Sequence, residues 1–387
     1  MIPYGSHDLT EADIEAVVEV LRSDFLTQGA MVPIFEKRVL QHCGANHAVA
    51  VNSATSALHI ALMALGVGPG DIVWSTPITF VASANAALYC GAAVDFVDID
   101  IASYNMSVAA LERKLEAAER IGLLPKVVIP VHLAGHSSDM IGISALAKRY
   151  GFKVLEDASH AIGGQYRQHP VGCCGFSDIA VFSFHPVKII TTGEGGMAVT
   201  NDSDLAHKMR LFRSHGITRN PEEMTKKIDG PWYYEQIELG YNYRMTDIQA
   251  ALGVSQLERL SAFVEQRNRL ADRYTNELKN TALILPKNDD QVYSAYHLYI
   301  VRVDLDESHT GTHLQIFNFM RENDIGVNLH YIPVYRQPYY QNMNFSFGDF
   351  PNAEEYYKSA LSIPLFPKMT YASQTRVIEA LYSALNK

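Results

Sequence analysis

Between residues 46 and 157 short apolar runs alternate with helical segments, and that alternation restricts the chain to one class of fold. NHAVAV (46–51), DIVWSTP (71–77), AVDFVDID (93–100), KVVIPVHL (126–133) and KVLEDAS (153–159) read as strands. Helical stretches stand between them: SATSALHIALMALG closed by Gly66, ASANAALYCG, SVAALERKLEAA and ISALAKRYG. Short apolar runs separated by helices indicate βαβ units and a mainly parallel sheet covered on both faces. From about residue 175 the pattern shifts to shorter strands, DIAVFSF and GMAVT, around a Gly-rich turn. Ahead of the alternation, TEADIEAVVEVLR (10–22) places Ile14, Val17, Val18 and Leu21 at helical spacing, with Thr10 as cap and Asp13 three residues on. After a long helix within 257–278, AYHLYIVRV reads as a strand and HLQIFNFMRENDI as a helix. The expected architecture is α/β: a three-layer αβα large domain over 1–255 and a smaller C-terminal α+β domain over 256–387.

Length and composition agree with a packed enzyme. The 387 residues are 48% hydrophobic and 19% charged, which supports a large core and argues against disorder. The net charge of −10 argues against non-specific binding to nucleic acid or to an anionic membrane. A bound phosphate must then be held locally, by backbone amides and a few side chains. Cys43, Cys90, Cys173 and Cys174 have no metal-site or disulfide spacing, so reduced thiols and no metal are expected. No apolar run approaches the ~18 residues of a membrane span. The start, MIPYGSHDLTEADIE, lacks the basic and apolar regions of a signal peptide, so a cytoplasmic enzyme is the expectation.

Three strings carry candidate chemistry. Asn52-Ser53-Ala54-Thr55-Ser56 lies between a strand and a helix, where unpaired amides and small hydroxyls suit a phosphate or simply cap the helix. Glu156-Asp157-Ala158-Ser159-His160 follows a strand at the end that faces the ligand crevice in open α/β sheets. Asp157 there either caps the next helix or pairs with a basic group such as a protonated pyridine nitrogen. His160 reads as a core histidine or as one set against a cofactor ring. Lys188 sits among Val187, Ile189 and Ile190, ahead of Thr191-Thr192-Gly193-Glu194-Gly195-Gly196. An apolar setting lowers a lysine pKa and leaves a neutral amine able to form a Schiff base.

LTQG (26–29), NSATSALHIAL (52–62), TPITFVASANA (76–86), EDASHAIGG (156–164), FSFHPVK (182–188), TTGEGG (191–196) and GYNYRMTDIQAALG (240–253) occur in family order. On these strings the chain resembles, over nearly its whole length, the DegT/DnrJ/EryC1 sugar aminotransferases among the fold-type-I pyridoxal-phosphate enzymes. The resemblance implies pyridoxal 5′-phosphate as cofactor, with pyridoxamine phosphate as its intermediate form. Lys188 is then the covalent anchor and proton shuttle, and Asp157 the partner of the ring nitrogen. Phe80 is similar to the aromatic that stacks on the ring, although its apolar context also fits a core residue. Ala54, Thr55 and Ser183 resemble the phosphate cradle, and His160 a residue near the ring hydroxyl. Asn242 matches an asparagine that reaches the phosphate from a second subunit, which implies a homodimer with shared active sites.

PYG (3–5), LTQG and HYIPVYRQPYYQ (330–341) bring the chain nearest to the subgroup that acts in pseudaminic acid biosynthesis. That subgroup moves the amino group of L-glutamate to C4 of a UDP-linked 2-acetamido-2,6-dideoxy-4-hexulose. The likeness implies that Tyr4, Leu26, Thr27, His185, His330, Tyr331, Ile332 and Pro333 bind the nucleotide sugar. Phe25 departs from the pattern, since many relatives carry Trp there. Read directly, Tyr331, Tyr335, Tyr339 and Tyr340 form an aromatic strip suited to stacking on sugars or uracil, or else a surface-packed tyrosine cluster. The alternatives are a dTDP- or GDP-linked keto sugar as acceptor, or a pyridoxamine-phosphate-dependent sugar dehydratase. The dehydratases typically carry His at the position of Lys188.

Overall fold

The computed structural model describes residues 1–287, 289–304 and 312–385. Its centre is a seven-stranded sheet in the order β1-β9-β8-β5-β4-β2-β3. These strands are β1 (His47–Val51), β2 (Ile72–Ser75), β3 (Ala93–Phe96), β4 (Val127–Ile129), β5 (Lys153–Asp157), β8 (Ile179–Ser183) and β9 (Gly196–Thr200). Between β5 and β8 the chain makes a small hairpin, β6 (Gln165–Tyr166) with β7 (His169–Pro170). Pairings from β3 through β8 are parallel, while β9 runs antiparallel to both β8 and β1. Six of the seven strands therefore share one direction, and the carboxyl ends of β1, β2, β5 and β8 gather along one edge. The sheet and its covering helices are those expected of fold type I.

The strands are almost wholly buried, as a sheet covered on both faces requires. On one side the helix Ala54–Ala64 buries eight of its residues, Ser56 through Leu62 and Ala64. On the other, the helices Val108–Ile121 and Met140–Tyr150 cover the sheet through Leu111, Leu115, Ile143 and Leu146.

A second cluster surrounds an antiparallel sheet of Leu283–Ile284, Tyr299–Val303 and Ala360–Ile363, backed by the helices Leu260–Leu278, His313–Glu322 and Tyr371–Leu385. Chain segments cross between the clusters. Ile2 joins the second one and exchanges backbone bonds with Asp324 and Gly326 at 2.7 Å each. In the other direction Tyr335, Tyr340, Phe350 and Tyr356 pack into the core of the large sheet.

The first helix, Glu11–Leu21, departs from its expected orientation. The capping box of Thr10 and Asp13 forms as expected. Yet Ile14 and Leu21 are 50% and 54% exposed, while Asp13 is buried. Asp13 faces inward because it accepts from Ser255 Oγ at 2.6 Å, Gln256 Nε2 at 3.0 Å and the Arg259 guanidinium. A paired and fully hydrogen-bonded carboxylate can replace an apolar side chain at a helix contact.

Candidate active site

The edge where the strand ends gather opens into a cavity of about 890 Å³, near the upper end of the usual range for ligand pockets. Sheet-borne groups form one wall. β1 ends at Val51, Asn52 follows, and Ser53 caps the helix Ala54–Ala64, its Oγ accepting from Ser56 N at 3.1 Å. The amides of Ala54 and Thr55 begin that helix, have no preceding turn to bond to, and line the cavity. β9 returns against this turn. A Cβ on Gly196 would lie 2.4 Å from Ala54 N, so only glycine fits there. Ser183, at the end of β8, stands beside Gly196 and also lines the cavity.

Asp157 ends β5 and is 5% exposed. Its Oδ2 accepts from Ser83 Oγ at 2.6 Å and its Oδ1 from Ser159 N at 3.1 Å. It is a strand-end carboxylate facing the cavity, not merely a helix cap. Lys188 follows β8 through a tight turn, with its amide bonded to His185 O at 2.9 Å. Its side chain is half-buried at the cavity floor. Burial pushes its amine down to about 8, against a smaller upward pull from the Asp157 carboxylate. The neutral amine expected from the flanking apolar residues is therefore accessible near physiological pH.

The opposite wall comes from segments distant in sequence. His160, 5% exposed, accepts at Nδ1 from Ala134 N at 3.2 Å and contacts the Tyr331 hydroxyl through Nε2 at 3.1 Å. Burial holds His160 well below the ordinary histidine range, so the ring is neutral. With Nδ1 accepting, the single ring proton is on Nε2 and is donated to the Tyr331 oxygen. The Tyr331 hydroxyl keeps its own proton for a ligand. His330 is likewise buried and pushed down to about 3, chiefly by burial, and bonds Ser362 Oγ at 2.8 Å. Tyr4 packs against it with ring centroids 5.2 Å apart.

Phe80 lies at the cavity mouth, 59% exposed and 6.1 Å from the Tyr331 ring, which rules out the core reading. His185, also exposed, lines the cavity with Nε2 3.9 Å from the Glu194 carboxylate. Leu26, Thr27, Ile332, Pro333 and Asn242 do not line the cavity of this chain. Leu26 and Thr27 are exposed on a loop held by Asp247, whose carboxylate accepts from Gly29 N and Met31 N at 2.7 Å each. Ile332 turns outward at 44% exposure, while Pro333 is buried ahead of Val334. Asn242 is exposed and bridges to Ser214. The aromatic strip does not form. Only Tyr331 reaches the cavity, because Tyr335 and Tyr340 are buried, with hydroxyls bonded to Glu354 and Asn85.

Several residues at or behind the cavity wall escaped the sequence reading. Ser83 clamps Asp157, His297 packs on His160 with centroids 4.4 Å apart, and Asn328, Glu194 and Gln249 line the walls. His297 and Asn328 lie in strand-like or loop segments with no local motif. Ser83 lies in the same quoted string as Thr79, four residues on, but nothing local marks it.

The residues present fit the cofactor that the sequence resemblance implies. A helix start pressed against Gly196 offers free amides for a phosphate. A buried carboxylate with two donors faces the same cavity as a lysine of depressed basicity. An exposed aromatic at the mouth is free to cover a planar ring.

Comparison with known proteins agrees with this geometry. The model of the DegT/DnrJ/EryC1/StrS aminotransferase family matches residues 7–382. The spore coat polysaccharide biosynthesis protein SpsC of Bacillus subtilis is 41% identical over 98% of this chain and 96% of its own. A UDP-4-amino-4,6-dideoxy-N-acetyl-beta-L-altrosamine transaminase of Campylobacter jejuni is 38% identical over 100% of this chain and 98% of its own. Among solved structures, the putative sugar aminotransferase Spr1654 of Streptococcus pneumoniae, in its PMP form, superposes with a TM-score of 0.89 at 29% identity, covering 99% of both chains.

Proposed function

The chain belongs to the DegT/DnrJ/EryC1/StrS aminotransferase family and is a pyridoxal-phosphate-dependent sugar aminotransferase, and from that premise we propose its substrate and the roles of its residues. The amino donor is L-glutamate. The acceptor is a UDP-linked 2-acetamido-2,6-dideoxy-4-hexulose, aminated at C4 to give a UDP-4-amino sugar for pseudaminic acid biosynthesis. The observation that carries this reading is the wall formed by Tyr4, His330 and Tyr331, which come from two of the three strings that likened the chain to that subgroup. The name of the Campylobacter relative supports it as well.

The residues divide the work. When bound, the cofactor supplies an electron sink for charge developing at the carbon that loses or gains a proton. The amides of Ala54 and Thr55, with Ser183, hold its phosphate. Asp157 holds the ring nitrogen protonated, and Phe80 covers one ring face. His160 stands near the ring hydroxyl. The Lys188 amine would anchor the cofactor and, with an amino substrate bound, would take the proton from the glutamate α carbon. In the second half it returns a proton at C4 of the keto sugar. Its depressed basicity suits both directions, since an amine of pKa near 8 gives up and takes up a proton readily at neutral pH.

The second subunit enters as a further part of this proposal. Asn242, outside the cavity of its own chain, contributes to the phosphate site of a partner. The exposed apolar stripe of Ile14 and Leu21 and the 73% exposed Trp232 are surfaces that a homodimer would cover. The division into 1–255 and 256–387 likewise remains a proposal, supported by the separate second cluster.

The test is a substrate screen. UDP-, dTDP- and GDP-linked 4-keto sugars are incubated with glutamate and the products read by mass spectrometry, with NMR to place the new amino group. Highest kcat/KM for the UDP-linked 2-acetamido sugar, aminated at C4, is expected. A higher value for a dTDP- or GDP-linked sugar, or amination at C3, would overturn the substrate while leaving the reaction class intact.

A further inference from the structure

We propose that Thr79 and Ser83 form a two-hydroxyl relay that holds the Asp157 carboxylate aimed into the cavity, which makes Ser83 a positioning residue for the reaction. The inference rests on the reading of Asp157 as partner of the cofactor ring nitrogen. Ser83 Oγ lies 2.6 Å from Asp157 Oδ2 and 2.9 Å from Thr79 Oγ1. A carboxylate oxygen only accepts, so the Ser83 proton goes to Asp157. The Ser83 oxygen is then left to accept, and Thr79 donates to it. The direction of both bonds is fixed by the charge at one end.

The surroundings make this relay matter. Ser83 is 0% exposed and Thr79 2%, so water cannot replace either hydroxyl. An ionised carboxylate removed from water needs donors, and hydroxyl–carboxylate bonds are about twice as strong as neutral ones. Oδ1 has the Ser159 amide, whereas Ser83 is the donor at Oδ2. Bonds that run in series polarise one another, so Thr79 strengthens the Ser83 contact without touching Asp157.

Local geometry explains the spacing. Thr79 lies in the bend that leads into the helix Ala82–Tyr89 and Ser83 in the first turn of that helix, where the two hydroxyls meet at 2.9 Å. Phe80 occupies the same turn and points to the cavity mouth. One turn of chain thus supplies both the aromatic at the mouth and the clamp on the carboxylate behind it.

The experiment uses full-length protein stripped of cofactor. Affinities for pyridoxamine phosphate and for inorganic phosphate are measured by equilibrium dialysis, the second ligand sensing only the phosphate cradle. Ser83→Ala is expected to weaken pyridoxamine phosphate about tenfold, and the isosteric Thr79→Val about threefold, with inorganic phosphate unchanged for both. In an Asp157→Asn background Ser83→Ala is expected to add less than about a twofold loss, as coupled residues require. In the loaded enzyme, kcat falls with KM nearly unchanged. The relay is overturned if Ser83→Ala binds pyridoxamine phosphate like the wild type. It is also overturned if inorganic phosphate weakens equally, or if the loss persists in full beside Asp157→Asn, since each marks a merely structural role. If Asp157→Asn alone binds pyridoxamine phosphate as tightly as the wild type, the reading of Asp157 fails first and the relay with it.

Discussion

One wall of the cavity is laid down by the ends of sheet strands; the other is assembled from segments that meet only in the folded chain. Ser53 to Thr55, Asp157, Ser183 and Lys188 each follow a buried strand within a few residues, so the register of the sheet fixes their spacing. Tyr4, His297, His330 and Tyr331 are placed by contacts spanning most of the chain, such as the pairing of Tyr4 O with Leu365 N at 3.0 Å. Reaction chemistry that tolerates little movement belongs on the rigid wall. A wall built from exchangeable segments can change its ligand without disturbing the sheet. We propose chemistry for the first wall and sugar recognition for the second.

The largest effect that sharpens this contrast is expected from Asp157→Asn. The amide keeps the shape and loses the charge, so kcat should fall on the order of a hundredfold or more, in both half-reactions alike. Stopped-flow absorbance with glutamate alone, and then with keto sugar, reads the halves separately. Near wild-type turnover would remove the rigid wall from the chemistry.

Tyr331→Phe should act on one half only. It removes the hydroxyl proton that the His160 contact leaves free, and kcat/KM for the keto sugar should drop about tenfold. The glutamate half-reaction should stay within about twofold of the wild type. An equal loss in both halves would break the comparison, because the second wall would then be part of the common chemistry.

What the sequence revealed follows the same division. The strand-end strings are local words, and Lys188 could be read from its apolar neighbours because burial of the flanks buries the amine as well. For the second wall the sequence offered a resemblance and, read directly, an aromatic strip that does not form. Tyr335 and Tyr340 have the same residue type and nearly the same spacing as Tyr331, yet they bury their rings in the core and satisfy their hydroxyls there. Periodicity could not separate them, since the deciding partners, Glu354 and Asn85, lie elsewhere in the chain. The first helix misled for a related reason. Its apolar spacing pointed Ile14 and Leu21 inward, but the charged network of Asp13 with Arg259 turned the helix the other way.

A smaller effect tests the burial of the lysine itself. Lys188 ordinarily titrates near 10.5 and in the fold near 8. Below pH 8 both folded and unfolded chains carry the charge, and the folded one bears its full desolvation cost. Between pH 8 and 10.5 the unfolded chain binds more protons, so stability rises with pH until the cost is gone. Cofactor-free Lys188→Met should therefore be more stable than cofactor-free wild type at pH 7, by on the order of 1–2 kcal/mol. The gap should close as pH rises through that window. Urea titration at pH 7 and pH 9.5 measures it, and a gap that is absent or independent of pH would mean the amine is solvated.

The most direct measurement of the central claim is chemical trapping. Purified protein loaded with pyridoxal phosphate is reduced with borohydride, digested and mapped by mass spectrometry. The expected result is a single modified peptide carrying the cofactor on Lys188, lost in Lys188→Ala. Label on any other lysine, or none at all from protein that turns over glutamate and keto sugar, would contradict the account.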